Sequence, residues 1–350
     1  MANYYDGTKL LSMKDLNGDT PEIFLVTSNR TAGKTTYFNR LVFNRWLRKK
    51  EKFMLVDRFK DEMDGIAERY WKDINGLFFP EWEVFSKKQA AGAYHELFAR
   101  RVGDEVAESC GYAVALNSAD KLKKLSHFFS DTACMLFDEF QSETNHYCPN
   151  EVSKFQSLHK TVARGQGQQR RYVPVYMCSN PVTILNPYYV SMNISSRLND
   201  KVRFLRGNGF VLEQGYNEDA ANAQKQGGFD SAFAGSQYQL YSAEGAYLND
   251  STAFIEKPDG KGRYLTTIRY DGCDYGVRSF DHLGIVYCDN RPDKNYPTRI
   301  AVTTDDHNIN YVMLRNNDMF ISNMRYFFER GCFRFKDMKC KEAVLKLLSY

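Results

Sequence analysis

The run Ser28-Asn29-Arg30-Thr31-Ala32-Gly33-Lys34-Thr35 constrains this chain more than any other stretch, because of what flanks it. Ahead of it lies Ile23 to Thr27 (IFLVT), a short apolar segment of strand formers. Behind it, Tyr37, Phe38, Leu41, Val42 and Trp46 recur at helical spacing as far as Lys49. A strand entering a helix through such a loop matches the phosphate loop GxxxxGK[ST], except that Ser28 takes the place of the first glycine. Backbone N–H groups of this loop type cradle phosphate oxygens, and the helix turns its positive end toward them. Lys34 is therefore assigned to the β and γ phosphates of ATP and Thr35 to Mg²⁺. The cradle runs through Ser28, Asn29, Arg30, Thr31, Ala32, Gly33, Lys34, Thr35 and Thr36.

A second run, Cys134-Met135-Leu136-Phe137-Asp138-Glu139, reads as an apolar strand with two carboxylates at its C-terminal end, where open α/β sheets bind ligands. In this Walker B reading Asp138 holds Mg²⁺ and Glu139 is the general base for the attacking water; the plain alternative is a solvated turn. The pair of acids points to the RecA-like (ASCE) branch of P-loop ATPases, which uses a catalytic glutamate and contains the ring motors. Asn180 follows the strand Val173 to Cys178, whose Pro174 must fall near its start. It fits a sensor of the γ phosphate and equally a cap. Arg164 closes an amphipathic stretch from Asn150 and precedes the Gly/Gln-rich Gly165 to Gln169. That position suits an arginine finger reaching a neighbouring subunit, or a charge at a helix C-terminus.

With 350 residues the chain suits two domains. Phe53 to Val56 and the helical face Met63, Ile66, Ala67 and Tyr70 continue the α/β alternation. Glu96 to Val102 and Tyr112 to Leu116 read as a hairpin turning at Gly103-Asp104, with a helix as the alternative for the first piece. From Arg206 the chain becomes rich in Gly, Asn, Gln and Ala, as a linker would be. Beyond it, strands at 253–257, 263–270, 275–280 and 284–288 and helices at 310–330 and 338–348 give an α+β domain. The expected division is a motor domain 1–205, a linker subdomain 206–250 and a C-terminal domain 251–350.

Apolar runs are far too short for a membrane span, the N-terminus lacks a signal-peptide pattern, and the eight cysteines form no CxxC pair. These features predict a soluble protein of a reducing, cytosolic compartment, with Cys134 and Cys178 as core residues. Net charge is only +4, so any nucleic-acid surface must come from local clusters. Candidates are Arg45 to Lys50, Arg58-Phe59-Lys60, Lys121 to Lys124 and Arg170-Arg171, most of them expected to be solvated faces.

The segments DEF, NHYCPNEVSKF, TVARG and CSNPVTILNPYYV together resemble the DNA-packaging ATPases of phi29-like phages, compact relatives of large terminases. The likeness is most specific from Leu136 to Val190 and recurs faintly at AFIEKPDGKG and AVTTDD. It implies a motor that drives double-stranded DNA into a prohead in the host cytoplasm. Such motors are homo-oligomeric rings, generally of five subunits, on the portal, in some members with a structural RNA. It places Arg164 on the trans-acting finger, Lys60 of VDRFKDE on a family lysine that faces the channel, and the Lys121 to Lys124 run near a subunit boundary; Lys60, Lys123 and Lys124 are the candidate DNA contacts. It makes the C-terminal domain RNase H-like, without the nuclease's metal-binding acids. Ser28 and the 165–169 stretch depart from the family pattern. The rival readings are a terminase with a live nuclease built from Glu256, Asp271, Asp281, Asp289, Asp305 and Asp306, a helicase-like motor, and a nucleotide-gated scaffold.

Overall fold

The computed structural model describes residues 4–164, 167, 169–195, 197–198, 202–228, 232, 242, 253–315 and 318–348, the side chain of residue 73 excepted. The chain divides into two compact units: Met1–Phe140, Glu151–Pro181 and Arg197–Ala246 in one, and Gln141–Asn150, Val182–Ser196 and Tyr247–Tyr350 in the other.

In the first unit six parallel strands run in the order β5 (Glu108–Ala115), β2 (Lys52–Asp57), β6 (Thr132–Asp138), β7 (Val175–Ser179), β1 (Ile23–Thr27) and β9 (Phe210–Gln214). Antiparallel β4 (Tyr94–Arg101) and β3 (Trp82–Gln89) extend one edge, and β8 (Phe204–Gly207) the other. Parallel strands must be covered on both faces, which explains their unbroken apolar runs. Helix α1 (Thr8–Ser12) contributes Leu10 to a core shared with Phe38, Val42, Phe43 and Trp46 of α2 (Lys34–Lys49) and Ala67, Tyr70 and Ile74 of α3 (Ile66–Phe78). Burying a side chain such as Phe38 or Phe43, both fully inaccessible, contributes about 1.5–3 kcal/mol. After α4 (Ala119–Leu122), helix α5 (Glu151–Val162) sets Phe155 against Phe137 of β6, ring centroids 5.7 Å apart. Cys134 and Cys178 are buried strand residues of this sheet.

The strand β8 spans the expected boundary at residues 205 and 206. Asn208-Gly209 is the turn between β8 and β9, with Gly209 at φ 75°, and β9 lies beside β1. Glycines read as linker thus turn a hairpin inside the sheet, and the first unit continues through α7 (Glu218–Lys225). Of the remaining expected linker, 229–250, only Ala232 and Ser242 lie within the described residues.

In the second unit β10 (Arg263–Tyr270), β11 (Cys273–Phe280) and β12 (Ile285–Asp289) form an antiparallel meander. β13 (Arg299–Ala301) adds parallel to β10, and β14 (Phe333–Phe335) parallel to β12. Helices α8 (Met319–Glu329) and α9 (Met338–Leu347) bury Met324, Phe328, Val344 and Leu345 with Ile268, Val277 and Cys288. Leu185 and Val190, the latter on α6 (Pro187–Ser191), join this core. Two expected elements are shorter than their patterns. The strand at 253–257 is a single bridge, Phe254 to Phe335, and the helix expected from Asn310 starts at Met319, where the Asp318 side chain accepts from the Phe320 N–H at 2.8 Å.

Candidate nucleotide site

The phosphate loop leaves β1 at Thr27 and enters α2 at Lys34, with Thr31 and Gly33 in left-handed backbone (φ 57° and 94°). Ser28 is buried and is not left-handed, so this backbone does not need the glycine that the motif usually carries there. The Lys34 ammonium donates to the carbonyls of Ser28 (3.0 Å) and Asn29 (3.2 Å) and to Asn180 Oδ1 (3.1 Å). Burial pulls it down to about 8, against the opposing pull of Asp138.

Strand β6 brings Asp138 to the same end of the sheet. Burial raises its carboxyl, while the neighbouring Thr35 hydroxyl and the Lys34 ammonium act to lower it. Glu139 follows, exposed and left-handed at φ 54°, its N–H donated to Asp138 Oδ1 at 3.0 Å. A cleft of about 410 Å³ opens here, lined among others by Thr35, Asp57, Arg58, Arg69, Asp138 and Glu139. Asn180 sits at the end of β7, the strand between β1 and β6. No helix begins at it, since α6 is capped by Asn186, so its contact with Lys34 is its observed role.

The remaining predicted residues lie elsewhere. Arg164 is exposed just beyond α5, Lys60 is exposed at the start of the turn Lys60–Met63, and Lys124 is exposed. Lys123 is exposed and paired with Asp120 at 2.9 Å. The basic clusters need correction in part. Arg45 binds Glu51 (2.8 Å) and the Tyr176 hydroxyl (2.9 Å), Arg170 pairs with Glu22, and Arg171 donates to the carbonyls of Thr132 (3.1 Å) and Val162 (2.7 Å). These arginines tie elements together.

Arg58 is the residue the sequence reading missed. It is buried, its Nε donates to both oxygens of Glu151 (3.1 and 2.9 Å), and its Nη2 donates to the carbonyls of Glu139 (3.2 Å) and Phe140 (2.9 Å). It fastens the left-handed Glu139 backbone to the first turn of α5. Its neighbours Phe59 and Lys60 made it look like part of a basic patch. The usable signal was its position one residue past an apolar strand. Asp57, at the end of β2, is also absent from that reading. Burial raises its carboxyl to about 7 although Arg69 donates to both its oxygens (3.0 and 2.9 Å).

A family model for the podovirus DNA encapsidation protein (Gp16) matches residues 1–349. The chain belongs to this family. Among relatives of this encapsidation protein, the DNA packaging protein of Bacillus phage phi29 is 26% identical over 348 residues, covering 98% of this chain and 96% of the relative. That of Bacillus phage B103 is 26% identical over 293 residues, covering 83% and 84%. Among solved structures, the bacteriophage phi29 viral genome packaging motor assembly aligns with a TM-score of 0.54 at 24% identity over 96% of this chain and 95% of that one. The Phi-28 gp11 DNA packaging motor aligns with a TM-score of 0.58 at 16% identity over 100% and 99%. These two likenesses show a shared mixed α/β fold. The family match spans the phosphate loop, both carboxylates and Arg164.

Proposed function

We propose that this encapsidation protein hydrolyses ATP at Lys34, Thr35, Asp138 and Glu139 and uses the energy to move double-stranded viral DNA into a prohead. The observation that carries the reading is the convergence, at one end of the sheet, of a lysine-bearing phosphate loop and two adjacent carboxylates. β7 stands between the strands that deliver them, as the additional strand of the RecA-like branch.

In this mechanism loop N–H groups and the Lys34 ammonium hold the β and γ phosphates. The Thr35 hydroxyl and an Asp138 carboxylate oxygen are hard oxygen donors, a set that suits Mg²⁺, which would supply charge neutralisation on the phosphates. Glu139 accepts the proton of the attacking water, and Asn180, beside the lysine, orients the γ phosphate. Arg164 is presented outward, as a finger for a neighbouring subunit must be. Lys60, Lys123 and Lys124 offer ammonium groups to DNA phosphates, which position a duplex without reading its sequence.

The wider assignment is a homo-oligomeric ring of about five subunits on the prohead portal in the host cytoplasm, with a packaging RNA as a further component in some relatives. For the C-terminal part an RNase H-like domain, reached through a linker, is supported by the meander with β13 added parallel to its first strand. Two of its acids have other partners. Asp306 accepts from the N–H groups of Asp271 and Gly272 (both 2.9 Å), and Asp289 pairs with Arg278 at 2.6 Å. Among the described residues no three His, Cys, Asp or Glu side chains gather to hold a metal.

DNA protected from nuclease after incubation with proheads and ATP measures the function. The wild type should protect a full genome and Glu139→Gln essentially none; equal protection by both would refute the assignment.

A further inference from the structure

The second unit carries an apolar projection at one end of its sheet and an apolar groove at the other. β13 runs parallel to β10, so the chain leaves it beside the Asp271-Gly272 turn that joins β10 to β11, and Asp306 accepts from both N–H groups of that turn at 2.9 Å. Three residues on, the chain reverses at Ile309-Asn310. Asn308 and Tyr311 exchange backbone hydrogen bonds across the turn (3.3 and 3.2 Å), and Asn308 Oδ1 accepts from the Asn310 N–H at 2.9 Å. The Tyr311 hydroxyl donates to Asp274 at 2.9 Å, and Val312 pairs with the β13 backbone at Arg299 and Ala301 (3.0 and 2.9 Å). At the corner of this fixed turn Ile309 is 98% exposed, and Val312 and Met313 behind it are exposed too.

Turn corners usually take Asn, Asp or Gly, which satisfy backbone groups or tolerate the bend. A branched aliphatic held in water by several hydrogen bonds is instead pre-organised for burial by a partner, since its turn has lost its freedom before any contact forms. The groove, of about 390 Å³, lies where β10 begins, at the ladder of Arg263 with Ser279 of β11 and Ser279 with Val286 of β12. It is lined by Leu265, Ile285 and Val286 of the sheet and by Phe320, Met324 and Phe327 of α8, and Phe327 keeps 44% of its surface exposed. The eight residues of β10 set groove and projection roughly 25 Å apart. Charge divides the same way. Asp271 and Asp305 are exposed at the end that bears the projection, whereas Arg263, and Lys261 two residues before it, are exposed at the groove's end, where Asp281 meets Arg263 at 3.5 Å.

We propose that projection and groove are the two halves of one contact between copies of this chain, Ile309 of one subunit seating in the groove of the next. The proposal rests on the homo-oligomeric reading above and names the surfaces that join neighbouring second units. Because the two features occupy opposite ends of one sheet, they cannot meet within a subunit, and the contact they make is head-to-tail. A contact of this kind repeats from copy to copy and closes into a ring where the rotation allows it. The acidic end of one unit against the basic end of the next favours this pairing, whereas two projections or two grooves brought together would oppose like charges.

Sedimentation velocity of the full chain over a concentration series, with and without Mg²⁺-ATP, is the test. Ile309→Asp and Phe327→Glu should each weaken self-association by about tenfold or more, the loss expected of an anchor side chain. Ile309 is almost wholly exposed, so its variant should melt as the wild type does. An equal mixture of the two variants, one of them fluorescently labelled, should form mixed dimers that grow no further, because each keeps the surface that the other lacks. Variants that associate as the wild type does would overturn the proposal, and so would a mixture no more associated than its components, the result for a symmetric contact. If both variants assemble normally but dock poorly on proheads, the surfaces serve a prohead component and the proposal falls. A wild type that stays monomeric in both conditions would remove the oligomeric reading and this contact together.

Discussion

Lys34 is placed by structure and, in the proposed function, serves chemistry as well. Its ammonium caps three oxygen acceptors in a buried niche, and burial depresses it to about 8. The sign of the linkage follows. Above pH 8 the free protein holds Lys34 largely neutral, whereas a bound triphosphate favours the ammonium, so binding takes up a proton. At pH 8 the uptake should be about half a proton, and ATP affinity should fall as pH rises further. Titration calorimetry in buffers of different ionisation enthalpy reads this directly; no uptake between pH 7.5 and 9 would contradict the depressed lysine. The placement of Lys34, Thr35, Asp138 and Glu139 at one end of the sheet was legible because motif chemistry prescribes residue type and spacing together. Arg58 was not, because its task is defined by Glu151, 93 positions away, and long-range pairing leaves no periodic trace.

At the scale of elements, the parallel strands were readable because a strand covered on both faces must be apolar throughout, as in IFLVT and ACMLF. The β8–β9 hairpin was not, because its Asn-Gly turn has the composition of a linker. Coupling between β6 and α5 is likewise a property of packing. Arg58 joins the carbonyls of Glu139 and Phe140 to the buried carboxylate of Glu151, and α5 leads on to Arg164. The Glu139 turn and the helix that leads on to Arg164 therefore share one guanidinium. Arg58→Ala removes the cation of a buried ion pair and should cost about 3–5 kcal/mol in urea unfolding. Arg58→Lys, which keeps the charge but not the planar fork, should recover only part of it. A loss below about 1 kcal/mol for Arg58→Ala would show that other contacts hold this turn.

For the whole molecule, the account predicts that no subunit is complete alone, since Arg164 is exposed and is not among the described residues that line its own cleft. An arginine finger contributes roughly 10³ to 10⁵ in rate, so activity should depend on assembly. The decisive measurement is ATP hydrolysis by wild type, Lys34→Ala, Arg164→Ala and an equal mixture of the two variants, each with and without double-stranded DNA. The account predicts DNA-stimulated turnover by the wild type, near-complete loss in each variant, and partial recovery in the mixture, where an intact loop meets an intact finger. A wild type that does not hydrolyse ATP with DNA present, or an Arg164→Ala variant of full activity, would contradict it.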